Sequence, residues 1–353
     1  MTRARLFRTV RLICLLTAVA SFGFPTVTSA ATTAKKSASP TSTGKKVTLK
    51  KKSYSARASR ARRAQQLARA RAAVRAREVR EAQVPRFKLD EAGALVPDLR
   101  AEAAIIYNPE NGQVLWESNS TTKRSIASIT KLMTAAAFLE NNPDLNQEVV
   151  IQRSDVRAAS TTYLRAGYKV TTGDLLHLLL IASDNAAARA LARVSPHGPE
   201  GFIDRMNEKA IELGLENTAY ADPSGLLADN VSSAYDMAKF ITFVSGDERI
   251  SSIMRKQEHS IPIGRRTITV HSTNQLVMRG DVDVVGGKTG FISKAGYCLA
   301  TLLRLPQGGP QVAVVVLGAK SNAGRFWETR HLFNWLSGKA QEGFATKPET
   351  QQQ

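Results

Sequence analysis

Cysteine is almost missing from this chain: Cys14 and Cys298 are the only two in 353 residues. Cys14 falls in an N-terminal segment that reads as removable, so the mature chain can form no internal disulfide and must stand on its core. Cys298, inside the apolar stretch 297–303, reads as a small buried hydrophobe and not as a nucleophile. Metal-ligand spacing is absent too. The five histidines, at 177, 197, 259, 271 and 331, follow no ligand pattern, so no metal or other cofactor is expected, and His177 among its leucines reads as structural. A phosphate loop is excluded at Gly286-Gly287-Lys288-Thr289-Gly290, because Val282 stands where that loop needs a glycine.

Acidic residues are scarce at one end only. Residues 31–88 hold 18 Lys or Arg against Glu78 and Glu81, and carry +16 of the +19 total. Arg3, Arg5, Arg8 and Arg11 add +4, which leaves 27 basic and 28 acidic residues, a net −1, for 89–353. Those four arginines, the apolar run 12–24 and the small residues Thr28-Ser29-Ala30 predict a secretory signal peptide over 1–30, cleaved after Ala30. The run is shorter than the roughly 20 residues of a spanning helix. Residues 31–88 predict a basic disordered linker, since so much charge with so few apolar side chains cannot offset chain entropy. Its Ala- and Arg-rich part, 55–83, has the composition of a helix that could form against an anionic surface. For an exported protein that surface is acidic lipid or a wall polymer, with no nucleic-acid partner.

Residues 89–340 are enough for one large domain, followed by a polar tail over 341–353. Strands are expected at 103–107 and 113–116, flanking the hairpin signal Asn111-Gly112. Helical periodicity follows over 128–140, 172–193, 201–213 and 233–244, the last capped by Ser232 or Ser233. Strands return at 267–270, 284–291, 296–304 and 311–318, and a final helix over 323–336 is expected to pack on them. The fold class is therefore α/β in the α+β sense: a sheet built from both ends of the domain, interrupted by an all-helical subdomain. The cleft between the two is the expected site.

Three short strings carry chemistry. In Ser128-Ile129-Thr130-Lys131 a hydroxyl and an amine share one helical face, although Ser42/Lys45 and Ser120/Lys123 also fit Ser-x-x-Lys and show that the spacing alone is weak. A helix start offers free N–H groups to an oxyanion. Lysine can take the serine proton if desolvation or a second cation such as Lys288 favours its neutral form. In Ser183-Asp184-Asn185, which interrupts an apolar helix, Ser183 can relay a proton to a leaving amine while Asn185 bonds the substrate backbone and Lys131. Ser272-Thr273-Asn274 shows that Ser-x-Asn recurs. In the strand 284–291, glycines would let a substrate lie alongside, and Lys288 and Thr289 would hold a carboxylate. Together the strings describe an acyl-transfer site.

The ordered trio, with 55 residues between the two serines and 105 from Ser183 to Lys288, resembles that of class A β-lactamases and penicillin-binding proteins. With Ser125 to Thr134, Asp222-Pro223-Ser224-Gly225-Leu226, and Gly287-Lys288-Thr289-Gly290-Phe291 followed by Ala295-Gly296-Tyr297, the chain is similar over about 100–336 to the low-molecular-mass penicillin-binding proteins, the serine D-alanyl-D-alanine carboxypeptidase and endopeptidase family. The resemblance implies a five-stranded antiparallel sheet flanked by helices, with a helical lobe. It implies Ser128 as nucleophile, Lys131 as base, Ser183 as a third catalytic group, and substrate binding by Asn185, Lys288, Thr289, Gly290 and Phe291, with an oxyanion hole from the N–H groups of Ser128 and Phe291. It further implies peptidoglycan as substrate, β-lactams as covalent inhibitors and a periplasmic location. No Glu-x-x-Leu-Asn lies between Ser183 and Lys288, which disfavours a β-lactamase. The polar end over 338–353, in place of a second β domain and amphipathic tail, looks more like the endopeptidase branch. The rival reading is a non-catalytic peptidoglycan-binding protein that keeps the fold and attaches by its basic arm. Intact Ser128, Lys131, Ser183 and Lys288 argue against it.

Overall fold

The structure, a computed structural model, describes residues 50–345; the expected signal peptide over 1–30, the linker up to 49 and the tail beyond 345 lie outside the described residues. No described helix is long and apolar enough to cross a membrane.

Part of the expected linker falls within the described residues. Lys50–Gln83 form one helix of 34 residues, α1. Alanine and arginine are strong helix formers, and the segment has no Gly or Pro to break it. The domain also begins before 89. Phe87–Leu89 pair antiparallel with Leu95–Pro97, and Arg100 donates to the Glu81 carbonyl at 2.9 Å.

The main sheet has five antiparallel strands: β1 (Ala103–Tyr107), β2 (Val114–Ser118), β3 (Asp283–Ile292), β4 (Gly296–Arg304) and β5 (Gln311–Ala319), in the spatial order β3-β4-β5-β1-β2. Strands from the two ends of the domain meet where β1 pairs with β5. Alternate residues feed separate cores. Ala103, Ile105, Leu302 and Val315 face the helical lobe, while Ala104, Ile106, Leu299 and Val316 face Phe326, Leu332 and Phe333 of the last helix. A sheet covered on both faces needs unbroken apolar strands, as the sequence has.

The inserted lobe comprises α2 (Lys131–Leu139), α3 (Thr172–Leu180), α4 (Asn185–Val194) and α5 (Gly198–Glu212), while α6 (Ala234–Ser245) packs under β4 and β5. The single helix expected over 172–193 is two. Asp184 accepts from the Ala187 N–H at 2.9 Å and starts α4 afresh. The last helix, α7 (Asn322–Ala345), packs on β4 and β5 and runs into the segment expected as tail. The strand expected at 267–270 lies outside the main sheet: Arg266–His271 pair with Glu258–Ile263 in a separate ribbon, whose buried residues are Ile261 and Val270.

Candidate active site

Ser128 sits in a 3₁₀ turn, Ala127–Thr130, and α2 begins at Lys131. In that tight turn residues three apart eclipse, so the serine and lysine side chains align. Ser128 is half-buried and Lys131 is fully buried. The Lys131 amine lies 2.9 Å from Ser128 Oγ and 2.6 Å from Asn185 Oδ1, and it also meets the Ser224 carbonyl. The Asn185 amide nitrogen donates to the Ala159 carbonyl at 2.6 Å, which fixes Oδ1 toward the lysine. A neutral amine has two hydrogens and one lone pair. The Asn185 and Ser224 oxygens can only accept, so the lone pair of the neutral form must face the Ser128 hydroxyl, as a base requires. Burial lowers the Lys131 pKa to about 7; Asp222 and Asp184 oppose the shift and Arg189 adds to it. Burial, more than a second cation, therefore produces the neutral amine.

The Ser224 carbonyl is held by a tight loop. The Asp222 carboxylate takes the N–H groups of Ser224 at 2.6 Å, Gly225 at 2.9 Å and Leu227 at 2.7 Å, and the Thr134 hydroxyl of α2 donates to the Pro223 carbonyl at 2.6 Å. Gly225 has φ +79°, and a Cβ there would overlap the Ala127 carbonyl. Gly225→Ala is expected to destabilise the fold by ~3 kcal/mol or more, read from denaturant midpoints, because strain and clash fall on the turn that carries Ser128.

Ser183 joins α3 to α4 with φ +60°, a left-handed conformation rare outside glycine. Buried Asp184 holds that turn by accepting from Tyr163 N–H at 2.7 Å. Lys288, 1% exposed, donates to Ser183 Oγ at 2.8 Å. Burial lowers its pKa well below the ordinary lysine value, and the charges of Lys131 and Arg325 push the same way. The Thr289 hydroxyl lies 2.7 Å from that of Thr273. The glycines of β3 serve the protein's own packing. A Cβ at Gly290 would come within 2.5 Å of the Ile126 carbonyl and 3.2 Å of Ser128 N, and one at Gly287 within 2.7 Å of Asn274 Nδ2. Gly290 thus brings β3 against the turn bearing the serine. Phe291, half-exposed, stacks on Tyr297 with ring centroids 4.2 Å apart. Ser128, Ser183, Asn185, Thr289, Gly290 and Phe291 all line one cavity of about 210 Å³, and both lysines lie bonded beneath its serines. Ser128, Lys131, Ser183, Asn185, Lys288, Thr289, Gly290 and Phe291 are thus brought together.

A family model described as D-alanyl-D-alanine carboxypeptidase matches residues 90–321. The chain belongs to this family. It is 34% identical over 227 residues to a D-alanyl-D-alanine endopeptidase of Haemophilus influenzae, covering 64% of this chain and 78% of that one. An endopeptidase of Escherichia coli is 31% identical over 244 residues, covering 68% and 78%. Among solved structures, a Streptomyces DD-transpeptidase matches with TM-score 0.63 and 29% identity over 70% of this chain and 98% of its own. The chain is a serine DD-peptidase of the low-molecular-mass penicillin-binding class, near the endopeptidase branch, and nothing favours the non-catalytic rival.

Two parts of this DD-peptidase site escaped the sequence reading. One is the Ser224 carbonyl, since a backbone oxygen has no letter of its own. The other is Arg325 of α7, buried at the cavity wall, whose guanidinium donates to the carbonyls of Gly290 at 2.9 Å and Cys298 at 3.2 Å. Its signal was a charge in register with buried Thr329 and Leu332, four and seven residues on. Arg325→Met is expected to lower the rate of acylation about tenfold, by loosening Gly290 against Ser128, measured as kcat/KM on a soluble D-alanyl-D-alanine peptide.

Sequence spacing also missed that Asp174, His177 and His259 meet, with ligand-type atoms within 4.8 Å of one another. His177 donates to the Gly173 carbonyl at 2.8 Å and accepts from Lys256 at 3.0 Å, while His259 lies 3.1 Å from Asp174. The two rings stack with centroids 3.8 Å apart and 17° between planes. Face-to-face rings direct their in-plane lone pairs side by side and not toward one point, so this arrangement is a hydrogen-bonded stack.

Proposed function

We propose that this serine DD-peptidase cleaves the D-alanyl bonds of peptidoglycan stem peptides, and by preference the cross-links between them, through an ester on Ser128. The Ser128 oxygen attacks the carbonyl carbon while its proton passes to the neutral Lys131 amine. The oxyanion would be met by the N–H groups of Ser128 and Phe291. As the C–N bond breaks, the leaving amine takes a proton from the Ser183 hydroxyl, which Lys288 re-supplies through the hydrogen bond it already donates. Before the second step Lys131 gives up the proton it took from Ser128 and Lys288 regains one, both by exchange with solvent. Water then attacks the ester while passing a proton to the neutral Lys131, which hands it to the Ser128 oxygen as the acyl C–O bond breaks. Asn185 would hold the substrate backbone. Thr289, in the cavity wall, would contact a substrate carboxylate, and Lys288 behind it would act through its charge.

The observation that carries this reading is the Lys131 amine 2.9 Å from Ser128 Oγ with its other two contacts to pure acceptors. β-Lactams would acylate the same serine as covalent inhibitors. The expected location is the periplasm, with the basic segment over 31–88 touching an anionic surface. The endopeptidase preference draws on two relatives named for that activity. Digestion of purified sacculi tests it: cross-linked muropeptide dimers should fall as monomers rise, and a β-lactam should block the change. Shortening of pentapeptides with dimers untouched would reassign the protein as a carboxypeptidase, and no change in either would overturn the wall-peptide reading.

A further inference from the structure

Every residue of α1 from 58 to 78 is solvent-exposed. Between 58 and 80 there are eight arginines and one acid, Glu78. At 3.6 residues per turn these cations point all round the helix: Arg62 and Arg69 share one side, and Arg71 lies nearly opposite. The only large apolar side chains over 58–78 are Leu67 and Val74, 60% and 57% exposed, a stripe two residues long. A helix that lies in a lipid interface needs a broad apolar face on one side and its charge on the other, and α1 has neither. A flexible chain with negative groups at intervals can instead meet cations on every side. It would also relieve the repulsion between arginines one turn apart, such as Arg71 and Arg75.

Residues 89–353 carry a net charge of only −1 and exert no long-range pull on an anionic polymer. The polymer proposed above as substrate carries carboxylates on its stem peptides throughout its length. We infer that α1 is a second binding site for the enzyme's own substrate, a sequence-independent tether to the carboxylates of the wall network that keeps the catalytic domain at high local concentration among scissile bonds. The inference rests on peptidoglycan being the substrate. Binding of this kind releases counterions, so it weakens steeply with salt. A tether raises the rate on the polymer without touching the chemistry on a small substrate.

The test compares the full chain with a variant in which Arg60, Arg62, Arg63, Arg69, Arg71 and Arg75 are all glutamine, which keeps good helix formers at each position. Co-sedimentation is measured from low to high salt with purified sacculi, sacculi whose carboxylates have been amidated, and phosphatidylglycerol vesicles; turnover of a soluble D-alanyl-D-alanine peptide is measured in parallel. The expected result is retention of the full chain on native sacculi that is lost as salt rises, about tenfold weaker retention of the variant or on amidated sacculi, and equal turnover of the small peptide by both proteins. Equal retention of the two proteins, or tighter binding to vesicles than to sacculi, would overturn the inference. Failure of the full chain to turn over the small peptide would count against the active-site reading alone, because retention is scored without catalysis.

Discussion

Ser128→Ala is expected to abolish the covalent adduct with a fluorescent penicillin and to lower peptide turnover on the order of 10⁶-fold. The substitution removes the one atom that forms the ester and leaves its surroundings in place. Ser128 is half-buried in the cavity wall, so losing its oxygen opens no sealed core, and Lys131 keeps its contacts with Asn185 and Ser224. Stability should stay within about 0.5 kcal/mol of the parent, which separates lost chemistry from lost fold. The adduct is read by gel fluorescence and by the mass of the intact protein. A label that survives would move the nucleophile to another hydroxyl, with Ser183 the first to examine, and would sink the assignment made above.

The legibility of this protein followed how local each signal was. Strand β4 could be bounded at both ends because a run buried on both faces has to be apolar throughout, and it stops at Gly296 and Arg304. Ser128 and Lys131 were legible because a nucleophile and its base lie three residues apart in one turn, and Ser183 and Asn185 because polar residues inside an apolar helix need a purpose. The partner that completes the lysine's environment, the Ser224 carbonyl, is 93 positions away and could belong to any residue type. The ribbon strand Glu258–Ile263 was missed since it holds His259, Ser260 and Pro262 and buries little besides Ile261. Within the linker expected over 31–88, the Ala- and Arg-rich composition of 55–83 already carried the helical preference that α1 shows. Arg325 went unread because its only mark in the sequence is its spacing, four and seven residues ahead of Thr329 and Leu332, which are buried with it.

Lys131→Met is expected to slow acylation of Ser128 by about 10²–10⁴-fold, with its clearest signature in the pH profile. With a pKa of about 7, the parent's amine is protonated below that pH and cannot take the serine proton; above it, the amine is neutral and can. Acylation by penicillin should therefore climb through about pH 7 and then level, falling about tenfold per unit on the acid side, so that pH 5 retains about 1% of the plateau. The methionine variant should lose this limb along with most of its rate, whereas a purely structural lysine would give a slower enzyme with the same profile. Stability supplies an independent check. The folded state holds the amine's pKa at about 7 against 10.5 for an ordinary lysine, so between those values the unfolded chain binds more protons and the fold gains stability as pH rises. Lys288, also lowered by burial, adds in the same direction. Denaturant midpoints of the parent should rise from pH 7 toward pH 10, and Lys131→Met should flatten that rise by the share this one amine contributes. A profile unchanged by the substitution would mean that another group takes the proton from Ser128.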